Sequence, residues 1–575
     1  MTDTLHFFGD DYDADVVAGE RPEIRVRVRG RDVLALRVAS GVDADGRLDA
    51  SSGVGERSVR ETSSGLELRW RGRSAMWPEI VVRARLARDG VRYGYMLRGR
   101  GAIDRARFGA DATSRSRAVH RVLWSPEPSG DQTVRFAPGE RAVVSVASDK
   151  TFHLGHWFFT PPPFAFALGA AEDAWLMSGV LAPATANFSE LEVAAGEGLS
   201  LGLLYDGHER VVDEWRSPEL LFLPARDPYA GLLSYCDLLR REGLAPPPAK
   251  ADPPQWWREP IFCGWGEQCV RADASATDVL TTRAADFATQ ANYESFLAAL
   301  EDRGVVPGTI VIDDKWQATY GGNEPDPAKW PNLARFIAAQ HRRGRRVLLW
   351  LKAWDPEGLS AEECIVDANG TPVAADPTSA LYARRLRASV RRMLVELGAD
   401  GFKLDFTHKI PTGRGGRSAS GAWGLALMRA YVALLHEATH ASRPDALLMT
   451  HTANPAFADV VDMLRLNDVP LVRGQPKSYV AAMEHRARIA RAASPAWLVD
   501  TDNWPSPDRA SFLEYVAAQG RLGVPSLYYV TRIRWRTGDE PWVDEPLRES
   551  DYAAIRHAWA SYRAAGELAL TAALP

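Results

Sequence analysis

Two rhythms of apolar and polar positions divide this chain. Between Glu23 and about Asp206, short runs alternate apolar with polar residues: EIRVRVRG, VLALRVAS, LELRWRG, EIVVRARL, VRYGYMLRG, AVVSVAS and SLGLLYDG, separated by Gly, Asp or Asn. A strand with one buried and one solvated face reads this way, so the pattern predicts an all-β sandwich over residues 1–223. YAGLLSYCDLLRREGL then places apolar residues at helical spacing, and the prolines of APPPAKADPPQWW favour an extended, semi-rigid connection. Residues 224–258 are therefore expected to be a helical segment and linker.

After Pro260 the rhythm changes to continuous apolar runs of strand length, separated by longer helical patterns. The runs are PIFCGWG (260–266), GTIVIDD (308–314), RVLLWLKAW (346–354), DGFKLDF (400–406), ALLMTHTA (446–453), DMLRLND (462–468), AWLVDTDNW (496–504) and PSLYYV (525–530). Segments between them, such as NLARFIAAQHRRG and LYARRLRASVRRMLVELG, repeat apolar positions every three or four residues. Eight such units favour a closed (β/α)8 TIM barrel over an open sheet, and residues 259–575 are assigned to it. The fold class expected is thus α/β, a barrel preceded by an N-terminal all-β sandwich domain.

Composition narrows the partners. A formal net charge of -5 and a pI near 6.2 give no global basic field for nucleic acid or an anionic membrane. The N-terminus MTDTLHFFGDDYDADVV carries acids where a secretory signal would be basic and then apolar, so a cytoplasmic protein is expected. The four cysteines, Cys236, Cys263, Cys269 and Cys364, make no C-x-x-C pair and read as reduced, partly buried thiols; Cys263 and Cys269 bracket the GWGEQ segment, where they could line a pocket. A homo-oligomer is left open.

In such barrels chemistry gathers at the C-terminal ends of the strands. Those ends supply Trp265, Glu267 and Gln268; Asp313, Asp314 and Trp316; Lys352, Trp354 and Asp355; Lys403 and Asp405; His451; Arg465 and Asp468; and Asp500, Asp502 and Trp504. Carboxylates and tryptophans dominate. That mixture suits a sugar, whose hydroxyls need directional hydrogen bonds while its C–H faces pack on indole. An oligosaccharide or glycoside is the expected substrate, bound by Trp265, Asp313, Asp314, Trp316, Lys352, Trp354, Lys403, His451, Arg465, Asp502 and Trp504. For each of these singly, capping the barrel core or solvating its rim is the competing role.

Lys403 precedes Asp405 by two residues and so shares its strand face, where an ammonium would hold the carboxylate ionised and orient it. Glycosidic cleavage needs a second carboxyl group across the scissile bond, at about 5–5.5 Å for retention or about 6.5–9.5 Å for inversion. Asp468, with Arg465 and Asn467 beside it, is the acid/base candidate, and Asp500 and Asp502 compete for that role.

Taken in order, these residues resemble the α-glycosidase clan containing glycoside hydrolase families 31 and 36. DGFKLDF followed by THKIP is similar to the nucleophile strand of family 31, and Lys403 and Asp405 match the Lys-x-Asp motif of family 36. VIDDKW (311–316) resembles the second-strand motif of family 36, whose paired acids and tryptophan bind the far hydroxyls of the terminal sugar, which implies binding roles for Asp313 and Asp314. KWPNLARFIAAQHRRGRRVLLW (329–350) has a form shared by both families. RLNDVP (465–470) looks like the acid/base segment of family 36, with Arg465 and Asp468 in matching places, and WLVDTDNW (497–504) is similar to its later Asp-rich strand. The Trp-Ser-Gly-Asp acid segment of family 31 is missing, Lys315 stands where family 36 usually has Gly, and the clan's C-terminal β-domain is not expected after the last helical pattern.

The resemblance implies double displacement on a terminal α-linked sugar, with Asp405 as nucleophile, Asp468 as acid/base, and neither metal nor organic cofactor. VIDDKW favours galactose; DGFKLDFTHKIP suggests glucose or xylose. A transglycosylase would use the same residues. The rivals from other classes are a Schiff-base enzyme on Lys403, a metal hydrolase on Asp313, Asp314 and His451, whose acids lack a His-rich ligand set, and a carbohydrate-binding protein with a degenerate site.

Overall fold

The computed structural model describes residues 4–50, 52–118, 122–124, 126, 133–135, 143–147, 165–184, 188–194, 198–247, 252–272, 283–468, 478–535 and 543–569. Each of the seven alternating runs contributes a strand, and every pairing before Ala225 is antiparallel. Strand Glu79–Ala87 shows why: Ile80, Val82, Ala84 and Leu86 are buried, while Glu79, Val81, Arg83 and Arg85 between them keep partial exposure. Three sheets of five, five and ten strands result. Val26, Leu34 and Leu36 of the first, Phe108, Leu201 and Leu203 of the second and Val82, Tyr93 and Leu97 of the third share one apolar core. This is the β-rich layered region read from the alternation. Its last strand, Glu219–Ala225, runs through residue 223, where the sandwich was expected to end.

All eight continuous runs are parallel strands of one sheet: β1 (Ile261–Cys263), β2 (Thr309–Ile312), β3 (Arg346–Lys352), β4 (Gly401–Asp405), β5 (Leu447–Thr450), β6 (Met463–Arg465), β7 (Leu498–Asp500) and β8 (Ser526–Leu527). They pair in chain order, β1 also pairs with β8, and a parallel bridge from Asp500 to Val524 joins the β7 and β8 segments. Both faces of these strands are covered, as their mainly apolar sequences require. Helices α1 (Gln290–Asp302), α2 (Leu333–Arg342), α3 (Ala380–Arg391), α4 (Gly424–Ser442), α5 (Tyr479–Ala493), α6 (Arg509–Leu522) and α7 (Glu549–Ala569) surround them.

At the N-terminal end of the barrel, Asp400 is fully buried and accepts from Val347 N at 2.8 Å, His341 at 2.7 Å, Arg346 at 3.1 Å and Arg443 at 2.9 Å. The first acid of DGFKLDF thus tethers β4 to β3 and to α4, far from the opposite rim. Gly401 beside it has φ 153°, and a Cβ there would stand 2.1 Å from the Leu447 carbonyl oxygen, so β4 and β5 approach only because the side chain is absent.

Between β5 and β6 the described chain has a 3-10 turn, Pro455–Phe457, in place of an α-helix. The helix expected from YAGLLSYCDLLRREGL, Pro228–Arg241, lies against that turn and α5. Asp227 caps it by accepting from Tyr229 N and Ala230 N, Tyr235 donates to the Val180 carbonyl at 2.6 Å, and Arg240 donates to the Ala493 carbonyl at the end of α5. A second link runs to the loop after β4: the His208 ring stacks on Trp423 with centroids 3.8 Å apart, and Asp206 accepts from Gly413 N at 3.1 Å. The β-rich region therefore braces the segment that follows Asp405. Among the described residues no helix is long and apolar enough to cross a membrane.

Candidate active site

The C-terminal ends of β3 to β8 converge on one cluster of charge. Four residues at or just beyond strand exits, Trp354, Phe406, Asn467 and Asp502, adopt left-handed φ values of 68°, 58°, 65° and 48°. Non-glycine residues take that conformation only where surrounding contacts hold it. Two of the turns flank the key acids directly, since Phe406 follows Asp405 and Asn467 precedes Asp468.

Arg465 is the hub. It is 1% exposed, and its guanidinium donates through Nη1 to Asp405 Oδ2 at 3.1 Å, through Nη2 to Asp468 Oδ1 at 2.7 Å and through Nε to Asp502 Oδ2 at 2.8 Å, with Asn467 Oδ1 as a further acceptor. The planar fork suits this task, because its donors point in fixed, divergent directions. Asp405 also accepts from Phe406 N at 2.8 Å and Trp350 Nε1 at 3.3 Å, and His451 Nε2 stands 3.3 Å from its other oxygen. Asp405 and Asp468 keep 20% and 19% of their side chains exposed, so both can be reached from the rim.

Their ionisation differs sharply. Burial alone would raise Asp405, but Arg465, His451 and Lys403 together outweigh it and hold the carboxyl well below the usual range. Asp468 feels the same burial and the same Arg465, but Asp502 and Asp405 crowd it with negative charge, and its pKa is pushed up to about 7. One carboxyl group is thus held toward its ionised form, and its neighbour on the same guanidinium can hold a proton near neutral pH.

Lys403 differs from its expected role. Its ammonium, 2% exposed, donates to Asp313 Oδ2 at 2.6 Å and lies 3.5 Å from Cys263 Sγ, which itself donates to Asp313 at 3.0 Å. Lys403 therefore helps Asp405 only through space; Arg465, His451 and Trp350 orient it. Position 403 points to the barrel axis one layer deeper than position 405, where β2 and β1 supply its partners. Burial and Arg465 disfavour the charged amine, yet Asp313 and the other acids prevail and raise its pKa, so Lys403 stays an ammonium and not a Schiff-base amine. Asp313 is likewise a floor residue. Asp314 lies closer to the surface, accepting from Tyr320 OH at 2.7 Å, with its pKa raised by burial to about 6. Lys352 pairs with Asp355 at 2.8 Å and stands 4.1 Å from the Tyr320 ring centroid, at the strand position in register with Asp405.

The tryptophans divide. Trp316 is fully buried with its indole N–H on the Trp350 carbonyl at 2.7 Å, and Trp354, 2% exposed, donates to the Thr407 carbonyl at 2.9 Å. Both are packed into the core of the wall, Trp354 through a left-handed turn with φ 68°. Trp265 is half-buried and meets Trp504 edge-on at 5.9 Å; Trp504 is 3% exposed and its buried indole nitrogen has no hydrogen-bond partner. Asp500 and Asp502 are 1% and 0% exposed; Ser526 donates to Asp500, and Asp502 accepts from Tyr528 OH, Asn503 N and Trp504 N besides Arg465. Both are closed off from the rim, whereas Asp468 keeps 19% of its side chain exposed. Glu267 accepts from Val530 N, Thr531 N and Thr531 Oγ1, and Gln268 bonds Tyr293 and the Asp314 carbonyl, so both are structural. Asp313, Asp314 and His451 face different partners and form no common ligand set.

Four contributors escape the strand-end reading. Trp350 lies inside the apolar run of β3, Tyr320 in the loop after β2, and Tyr528 beyond β8 in a run that reads as core. Arg486, on α5, is fully buried and donates through one nitrogen to the carbonyls of Leu466, Asn467 and Asp468 at 2.6, 2.7 and 2.8 Å, fixing the turn that presents Asp468. Arg486, the eighth residue of YVAAMEHRARIARAA, falls midway between Met483 and Ile489 at helical spacing, and an arginine on that apolar face was the available signal.

No protein-family model matches the chain, and no curated protein matches it. Its structure is similar to that of a GH31 family sulfoquinovosidase from E. rectale in complex with an aza-sugar inhibitor, at 11% identity over 99% of this chain and 83% of that one, with a TM-score of 0.55. It is also similar to an α-galactosidase from Thermus thermophilus in complex with stachyose (16% identity, 88% and 99% covered, TM-score 0.53) and to a cycloalternan-degrading enzyme from Trueperella pyogenes (13% identity, 98% and 83% covered, TM-score 0.51). At these identities the likeness is one of fold, a β-rich region followed by a barrel.

Proposed function

We propose that this chain is a retaining α-glycoside hydrolase in which Asp405 is the nucleophile and Asp468 the acid/base. The observation that carries the reading is the pair of unlike carboxyl groups on one guanidinium, Asp405 held ionised and Asp468 able to keep a proton near pH 7. In the first step Asp405 attacks the anomeric carbon while Asp468 gives its proton to the leaving oxygen. In the second, Asp468 takes a proton from water, which displaces Asp405 and releases the sugar with its configuration retained. Arg465 and His451 stabilise the nucleophile, and the Lys403–Asp313 pair forms the floor.

The substrate proposed is a terminal α-linked sugar. An aza-sugar inhibitor in one similar structure and stachyose in another support a sugar ligand here. Asp314, Tyr320 and Lys352 at the rim offer hydrogen bonds to outer hydroxyls, and galactose is favoured on the VIDDKW segment. The test is a panel of aryl α-glycosides differing only in the sugar, with the first-formed anomer read by NMR. Turnover of the α-galactoside with an α product is expected. A β product overturns retention, and affinity without turnover across the panel overturns the enzyme in favour of a carbohydrate-binding protein.

A further inference from the structure

The opposite end of the barrel carries a second cluster that the sugar chemistry does not use. His436 and His440 stand one turn apart on α4 and share a face, and Asp462 immediately precedes β6, so the three meet at the N-terminal ends of the strands. Their nearest ligand atoms lie within 4.8 Å of one another. We propose that His436, His440 and Asp462 form a Zn2+ site that pins α4 to the β5–β6 junction.

Hydrogen bonding around the rings argues for a cation there. His440 Nδ1 lies 3.2 Å from the Pro444 carbonyl, a contact that a proton on Nδ1 satisfies; in that tautomer the Nε2 lone pair faces Asp462 Oδ2, 2.9 Å away. Two electron pairs face each other at that distance only with a positive charge between them, either a proton or a metal ion. His436 separates the two. Its Nε2 is buried without a hydrogen-bond partner, 3.6 Å from Asp462 Oδ1. A proton on His440 leaves His436 unsatisfied, whereas one ion can take both imidazoles and the carboxylate.

The spacing and chemistry fit zinc. Ligands about 2.0–2.1 Å from a tetrahedral ion stand roughly 3.4 Å apart, and His436 Nε2 and His440 Nε2 lie 3.6 Å and 3.2 Å from the same oxygen, Asp462 Oδ1. Two imidazoles and one carboxylate favour Zn2+ over Ca2+ or Mg2+, which take oxygen ligands. The outer contacts are those of a metal site: a histidine N–H held by a backbone carbonyl, and a carboxylate held by Leu448 N at 2.8 Å. His436 and His440 are 17% and 16% exposed, which leaves water access to a fourth position.

The test uses the full chain stripped with a chelator, titrated with Zn2+ alone by calorimetry and with Co2+ by visible absorption. One Zn2+ per chain, a higher Tm with zinc and the strong absorption of tetrahedral Co2+ are expected. In folded His436→Ala and His440→Ala, Zn2+ affinity should fall by more than the roughly 10–100-fold that loss of an outer partner costs. The histidine variants are chosen because Asp462 also holds Leu448 N. Undiminished binding in both variants, or no binding by the unsubstituted chain at micromolar Zn2+, overturns the site and assigns the cluster to a protonated ion pair. None of these readouts depends on glycoside turnover.

Discussion

Arg465→Met removes the guanidinium on which Asp405, Asp468 and Asp502 converge while keeping an unbranched side chain. Leaving one partner of a buried ion pair uncompensated costs about 3–5 kcal/mol, and here three carboxylates lose the same cation. The acids can escape that cost by binding protons. In the unsubstituted protein, the depressed pKa of Asp405 contributes stability above the unfolded carboxylate value, and that contribution is lost only in strong acid. Asp468, at about 7 in the fold, lies above its unfolded value and already costs some stability above neutrality. Without Arg465 both pKa values rise, so the folded variant holds protons more tightly than its unfolded chain. It is then penalised increasingly as pH climbs through the raised values. The deficit should therefore be about 3–5 kcal/mol at roughly pH 8 and shrink clearly toward about pH 5. Urea unfolding of both proteins at the two pH values measures it. An equal deficit at both would mean that the loss is packing, and the shared-cation reasoning would fail.

Asp405→Ala should lose turnover by about three orders of magnitude or more with the fold retained, and azide should restore part of it; near-normal rates would remove Asp405 as nucleophile. Asp468→Ala should slow an aryl glycoside with a good leaving group far less than one with a poor leaving group, and equal losses would count against acid catalysis. In the unsubstituted enzyme kcat/KM should fall as pH rises past about 7, where Asp468 loses its proton, and the acidic limb should lie below the usual carboxylate range because Asp405 stays ionised there. Arg486→Ala frees three carbonyls beneath Asp468 and should cost about 1–3 kcal/mol of stability, with kcat falling more than KM changes; a purely structural role would leave kcat intact.

The eight barrel strands were legible because each is covered on both faces, so its sequence is a short, mainly apolar run with most of its polar residues where it ends; Lys403, inside β4, is the exception and is paired with Asp313. Asp405 and Asp468 stood at those ends and could be named. What the sequence could not convey was depth and rotation. Lys403 and Asp405 share a strand face, as their spacing says, but one layer of barrel separates their partners, and Lys403 pairs with Asp313 instead. Trp316 and Trp354 sit beyond their strands, where alternation no longer predicts direction, and at Trp354 a left-handed turn sends the indole inward. Arg486 acts from a helix 18 residues beyond Asp468, and Tyr320 from an irregular loop six residues past Asp314, and no periodicity links either to its acid. The site's electrostatics depended on those long-range partners, above all on Arg465, whose neighbours come from three strands.

The crowding of Asp468 by Asp405 also sets the timing of the proposed reaction. Asp405 is one of the charges that keep the Asp468 proton bound. Once Asp405 is esterified by the sugar, that charge is gone while Arg465 still presses on Asp468, so the second carboxyl group sheds its proton more readily. The residue that must give a proton in the first half of the cycle is thereby turned into one that can accept a proton in the second. In the proposed mechanism the covalent state of Asp405 would itself act as the clock.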